Sequence, residues 1–125
     1  MEALLLFDPD APTARPTDPD TSHDFGRGDP ARNPLCARTL LVLAHLGAHG
    51  GCVSDITAGI RNRWGTSSER SVISRRVTDL RGLGLVYEDG STRTPAETRR
   101  RQAVHFITPA GMARVPAAER LVGSL

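Results

Sequence analysis

Three short helices, a β-hairpin and a closing helical turn, together a small α+β domain, are predicted by the pattern of apolar residues, caps and breakers in this chain. An aliphatic run over 35–46 lies between Pro34 and the glycines Gly47, Gly50 and Gly51. A serine- and arginine-rich stretch over 67–81 repeats its apolar residues at helical spacing. Two strand-like segments, Leu85-Val86-Tyr87 and Ala103-Val104-His105-Phe106-Ile107, then frame a polar, arginine-rich loop over 90–102.

The first helix takes Pro34 in its opening turn, where a missing amide costs nothing, and ends at Gly47. Leu35, Leu40, Leu41, Val42, Leu43 and Leu46 cover more than one face, so this helix is the expected centre of the core. Ser54 reads as the cap of the second helix, with Asp55 favourable in its first turn. Ile56, Ile60 and Trp64 form its apolar face, Trp64 as a plug between helices, and Gly65 closes it.

Thr66-Ser67-Ser68-Glu69 matches the S/T-x-x-E capping box, so the third helix is expected to start there and to run to Arg81 before Gly82 and Gly84. Ile73, Val77, Leu80 and Gly84 face its core side; Ser67, Ser71, Ser74, Arg75 and Thr78 gather opposite. The hairpin follows, with a mobile tip and with His105 half-exposed on its second strand. Thr108 caps a short helix beginning at Pro109.

At 125 residues one domain is expected, with 1–33 as an acidic Pro/Asp-rich arm, 34–115 as the domain and 116–125 as a short C-terminal segment. Prolines at 9, 12, 16, 19, 30 and 34 keep the arm from propagating a helix or a sheet ladder and make it an extended or disordered segment; Met1 to Phe7 is a short strand or a docking peptide. No apolar run is long enough to cross a membrane, and Met1 to Phe7 lacks the basic start and cleavage site of a signal peptide, so a cytoplasmic protein is expected. Cys36 and Cys52 match no metal spacing with His23, His45, His49 or His105, and His45 and His49 lack a third ligand; both cysteines are expected as reduced thiols. There is no nucleophile–histidine–acid motif, no phosphate loop and no carboxylate pair in the basic region. Gly-Arg-Gly at 26–28 lacks the strand-to-helix context of a nucleotide loop. A non-enzymatic protein without cofactor or metal is the expectation.

The charge is unevenly placed. Residues 1–33 carry seven acids against three arginines, whereas residues 34–115 carry six acids against twelve arginines. All 16 basic residues are arginine, a planar fork that grips phosphate or guanine with two hydrogen bonds. Such a basic body suits a polyanion. Ser71, Ser74, Arg75 and Thr78 offer the short polar side chains and the guanidinium needed at base edges in a major groove. Ser67 and Ser68 at the expected helix start, with Arg70, Arg76, Arg81, Arg93, Arg99, Arg100 and Arg101, are the candidate phosphate-backbone contacts.

Residues 38–111 resemble the winged helix-turn-helix superfamily. The resemblance rests on Arg70-Ser71-Val72-Ile73-Ser74-Arg75-Arg76-Val77-Thr78-Asp79-Leu80-Arg81-Gly82-Leu83-Gly84-Leu85-Val86 and on Phe106-Ile107-Thr108-Pro109-Ala110-Gly111. Asp18-Pro19-Asp20-Thr21-Ser22 is similar to a segment of small phage-encoded winged-helix proteins. The resemblance implies a recognition helix over 67–81 in the major groove of double-stranded DNA and wing arginines on its backbone. The family implies no single function, since winged helices serve as repressors, as excision and replication factors and in protein–protein contacts; a phage-encoded transcriptional regulator is the leading expectation, and an interaction module for an acidic host protein is the alternative. A homodimer is a further expectation, and the acidic arm is expected to lie over the basic surface.

Overall fold

The computed structural model describes residues 28–124, and the expectations for residues 1–27 lie outside them. Asn33 starts the first helix, α1 (Pro34–Leu46): its side-chain oxygen accepts the Cys36 amide at 3.0 Å, and proline occupies the opening turn. Seven of its side chains are buried, including Leu40 and Leu43, as its nearly continuous aliphatics require. Gly47 caps α1 at φ 57° and begins a short 3-10 turn, Gly47–His49.

The second helix, α2, spans Val53–Trp64. Its cap is Cys52 and not Ser54: the Asp55 carboxylate reaches back to the Cys52 amide (3.2 Å) and thiol (3.4 Å). Ser54 lies inside the helix, buried, because its amide is taken by the Gln102 side chain. Gly65 closes α2 in the left-handed conformation, φ 72°.

The third helix, α3, spans Arg70–Gly82, three residues later than the capping box predicts. Glu69 is the cap residue through its backbone carbonyl, which accepts the amides of Val72 and Ile73 at 3.1 Å. The box is not formed. Thr66 Oγ1 is instead buried with no hydrogen-bond partner among the described residues, and Ser67 and Ser68 belong to the linker before the helix. Ile73, Val77 and Leu80 form the core stripe as predicted, whereas Gly84 is exposed past the helix end. Leu40, Leu43, Ile56, Ile60, Ile73 and Leu80 meet in one cluster, each at most 1% exposed. Burial of such a side chain contributes about 1.5–3 kcal/mol.

The antiparallel hairpin consists of β1 (Val86–Arg93) and β2 (Gln102–Ile107), in the register Val86↔Ile107, Tyr87↔Phe106, Glu88↔His105, Thr92↔Ala103 and Arg93↔Gln102. β1 runs beyond Gly90, the predicted start of the loop. Asp89-Gly90-Ser91 is a bulge within the strand: the Asp89 carboxylate accepts the Ser91 amide (2.9 Å) and hydroxyl (2.5 Å), and pairing resumes at Thr92. A third segment joins the ladder where Gly51 and His105 exchange both backbone hydrogen bonds at 2.9 Å.

Two short helices close the molecule, α4 (Pro109–Ala113) and α5 (Val115–Val122). Thr108 caps α4 through the Gly111 amide (3.0 Å) and donates its hydroxyl to the Gly84 carbonyl (2.7 Å). A Cβ at position 111 would lie 2.3 Å from the Leu85 carbonyl oxygen, so only glycine allows this joint. Residues 116–125 are not a separate segment as far as described: α5 packs along α1 with Ala118 fully buried. At the other end Gly28 and Pro30 are buried and Asp29 pairs with Arg114, so the last residues assigned to the arm dock on the domain. Among the described residues no helix is long and apolar enough to cross a membrane.

Candidate functional site

The outward flank of α3 and the inner face of the hairpin are the walls of a cleft of about 470 Å³. Arg70, Ser71, Ser74, Thr78 and Arg81 line it from the helix, Glu88, Gln102, Ala103 and His105 from the hairpin. The helical repeat explains the helix side: with Ile73, Val77 and Leu80 inward, residues 71, 74 and 78 fall on the opposite half of the surface. Thr78 donates its hydroxyl to the Ser74 carbonyl at 3.1 Å, and both residues are exposed. Arg75 is exposed at the outer edge of the same flank.

The predicted backbone contacts divide into three groups. Arg70, Arg99, Arg100 and Arg101 are exposed and have no ion-pair partner among the described residues, and Arg75 shares that condition. Arg99 stands at φ 54° in the loop over 94–101, which rejoins β2 at the cleft-lining Gln102. Arg81 lines the cleft but pairs with the Glu88 carboxylate.

Arg76 and Arg93 are engaged with neighbouring carboxylates and do not line the cleft. Arg76 lies on the other flank of α3, its side chain 13% exposed and 3.1 Å from Asp79. Arg93 sends one nitrogen to Asp55 at 2.5 Å and another to the His49 carbonyl at 3.0 Å. Ser67 and Ser68 are displaced too: the opening amides of α3 belong to Arg70 and Ser71.

Arg93 and its strand partner Gln102 together fasten the hairpin to the start of α2. Gln102 accepts the Ser54 amide (3.1 Å) and donates to the Ser54 hydroxyl (3.0 Å). The hairpin is thus rooted beside the cleft, and the loop predicted over 90–102 contracts to 94–101. Burial works to raise the Asp55 pKa, but hydrogen bonds from Arg93 and Cys52, with the Arg93 charge, hold it below the usual carboxylate range. No local pattern marks this root, because its partners are 38 and 48 residues apart.

His105 departs furthest from expectation. It is 6% exposed, because its backbone bridge to Gly51 draws β2 against the end of α1. Its Nδ1 lies 3.3 Å from Glu88 Oε2, without the angle of a hydrogen bond. Burial depresses its pKa most, Glu88 works to raise it, and Arg81 adds to the depression. The ring is therefore neutral at pH 7.

The histidines and cysteines form no metal centre among the described residues. Cys36 and Cys52 are both buried thiols. Burial pushes the Cys36 thiol up to about 12, so it stays protonated. Trp64 donates its indole N–H to the Val122 carbonyl at 3.0 Å, and the guanidiniums of Arg38 and Arg63 face its ring. No protein-family model matches the chain, and no curated protein matches it in sequence.

Proposed function

We propose that this chain is a winged-helix protein that binds double-stranded DNA. In this reading α3 enters the major groove, and the loop over 94–101 follows the backbone as the wing. The observation that carries it is the cleft itself. The polar flank of α3 is solvent-exposed and borders an open groove whose other wall is the root of an arginine-rich loop. Helix order, hairpin and the short closing helices are compatible with a winged helix.

Arg75 is the leading candidate for a guanine contact, with Ser71, Ser74 and Thr78 beside it. Arg70, Arg99, Arg100 and Arg101 supply phosphate contacts; Arg81 lies beside them but is paired with Glu88, and Arg76 and Arg93 stand apart from the cleft. Regulation of transcription is the role we propose for such a reader.

Fluorescence anisotropy with labelled duplexes at several salt concentrations tests the proposal. Three to six phosphate contacts give a log–log slope of about −3 to −5. A binding constant independent of salt overturns it. Selection from a random duplex pool reads specificity, and an enriched palindrome would reveal a symmetric dimer. Nuclease-resistant capture of one acidic protein, with no DNA binding, would assign the same basic surface to a protein partner.

A further inference from the structure

Arg81 differs from the other cleft arginine, Arg70, in one respect: it already holds a carboxylate. The Glu88 oxygen that accepts it, Oε2, is also the atom 3.3 Å from His105 Nδ1. One carboxylate oxygen thus lies between an arginine of the cleft rim and a nitrogen of the cleft floor. That nitrogen is buried without a hydrogen-bond partner, on a side chain 7% exposed. A neutral imidazole gives Glu88 little competition for its attachment to Arg81. An imidazolium in the same place would share the carboxylate and add positive charge to the floor.

We propose, building on the DNA reading, that Glu88 holds Arg81 in reserve and that a proton on His105 releases it to a DNA phosphate. Glu88 occupies the guanidinium as a phosphate would, so the two anions compete for one cation. Protonation weakens the internal competitor, and by reciprocity phosphate binding draws a proton onto His105. Among the elements packed on β2, α1 and the turn after it carry the exposed His45 and His49. β1 contributes Glu88, and α3 contributes Arg81 and, along the same cleft, Arg70. The start of α2 contributes Asp55, tied to Arg93, and the Cys52 thiol, which donates to Asp55. Neither of the last two touches Glu88 or His105 among the described contacts, so the gate is confined to three side chains.

The test is anisotropy with one labelled duplex at constant ionic strength between pH 8 and 5.5, using wild type, Glu88→Gln, His105→Gln and Arg81→Ala. Wild-type affinity should rise, by about 3- to 10-fold at full effect, as the pH falls below 6.5 and the histidine charges. Glu88→Gln should bind about 3-fold tighter at pH 8, with a much flatter pH profile. Its salt slope should steepen by about 0.9, one added phosphate contact. His105→Gln and Arg81→Ala should lose the same part of the pH response. His45 and His49 are retained in every variant, so their contribution cancels in the comparison. Wild-type affinity independent of pH, or Glu88→Gln indistinguishable from wild type, overturns the gate while leaving DNA binding intact. Absence of binding in all four forms overturns the DNA reading. The internal link is then judged by NMR: the Arg81 Nε–H resonance should follow the His105 titration in wild type and cease to do so in Glu88→Gln. If it does not follow in wild type, the link itself is refuted.

Discussion

Arg93 at the root of the hairpin and Arg75 on the outer flank of α3 are the same side chain in opposite circumstances. Arg93 is held by the Asp55 carboxylate and the His49 carbonyl, and through them it joins the hairpin to α2 and to the turn after α1. Arg75 has no such partner among the described residues and faces outward. A count of arginines treats the two alike. What separates them is whether the fold brings an acceptor within reach. A paired arginine holds the structure together; an unpaired one keeps its charge available for a ligand. The flanks of α3 repeat the contrast, with Arg76 beside Asp79 on one side and Arg70 above the cleft on the other.

This division can be broken experimentally. The largest effect is expected from Arg75→Ala, which should cost about 1–3 kcal/mol of binding at one base position and relax specificity there. Its unfolding free energy should be unchanged to within about 0.5 kcal/mol. A stability loss as large as the binding loss would show that Arg75 is structural after all. Arg93→Ala should do the reverse. Its two contacts are charge-assisted but about one-third exposed, so a loss of about 1–2 kcal/mol in urea denaturation is expected, with the salt slope of DNA binding retained.

Smaller and slower effects come from pH. The Asp55 pKa is depressed below 3.8 in the folded chain, so its contribution is complete above pH 3.8 and is lost as the pH falls through the folded value. His105 is depressed below 6.5, and its contribution is complete above that pH and declines as the unfolded chain takes up a proton that the fold resists. Urea midpoints measured from pH 8 to 3 should therefore fall in two stages. His105→Gln should remove the upper stage and Asp55→Asn the lower. A single stage common to both variants would mean that the two groups titrate as one unit. The smallest effect belongs to Arg100→Ala, which should weaken all sequences alike and reduce the salt slope by about 0.9.

Elements whose causes are local were legible in the chain. Pro34 and Gly47 bound α1 where proline and glycine chemistry places them, and Ile73, Val77 and Leu80 carry the core stripe at helical spacing. Where a local pattern competed with a distant contact, the pattern lost. Ser54 has the composition of a cap, but Gln102 claims its amide and Asp55 completes the turn from Cys52. Thr66 to Glu69 satisfies the capping-box spacing, yet the chain reaches helical geometry only at Arg70. Gly50 and Gly51 read as a helix stop, whereas their neighbours give the deeper reason. A Cβ on Gly50 would lie 2.5 Å from the Phe106 ring, and Gly51 pairs with His105. For the site, the face of α3 followed from periodicity alone. Which arginines remain available did not, since that depends on carboxylates supplied by other elements.

Trp64 has a practical consequence for all these measurements. It is the single tryptophan of the chain, and its indole nitrogen is fastened to Val122 at the end of α5. It stands at the opposite end of α2 from Val53, a cleft residue, at a distance of about 16 Å along the helix axis. Its emission is thus a spectroscopic gauge of whether the C-terminal helix is seated. It provides every substitution in the cleft with an internal folding control and needs no added label.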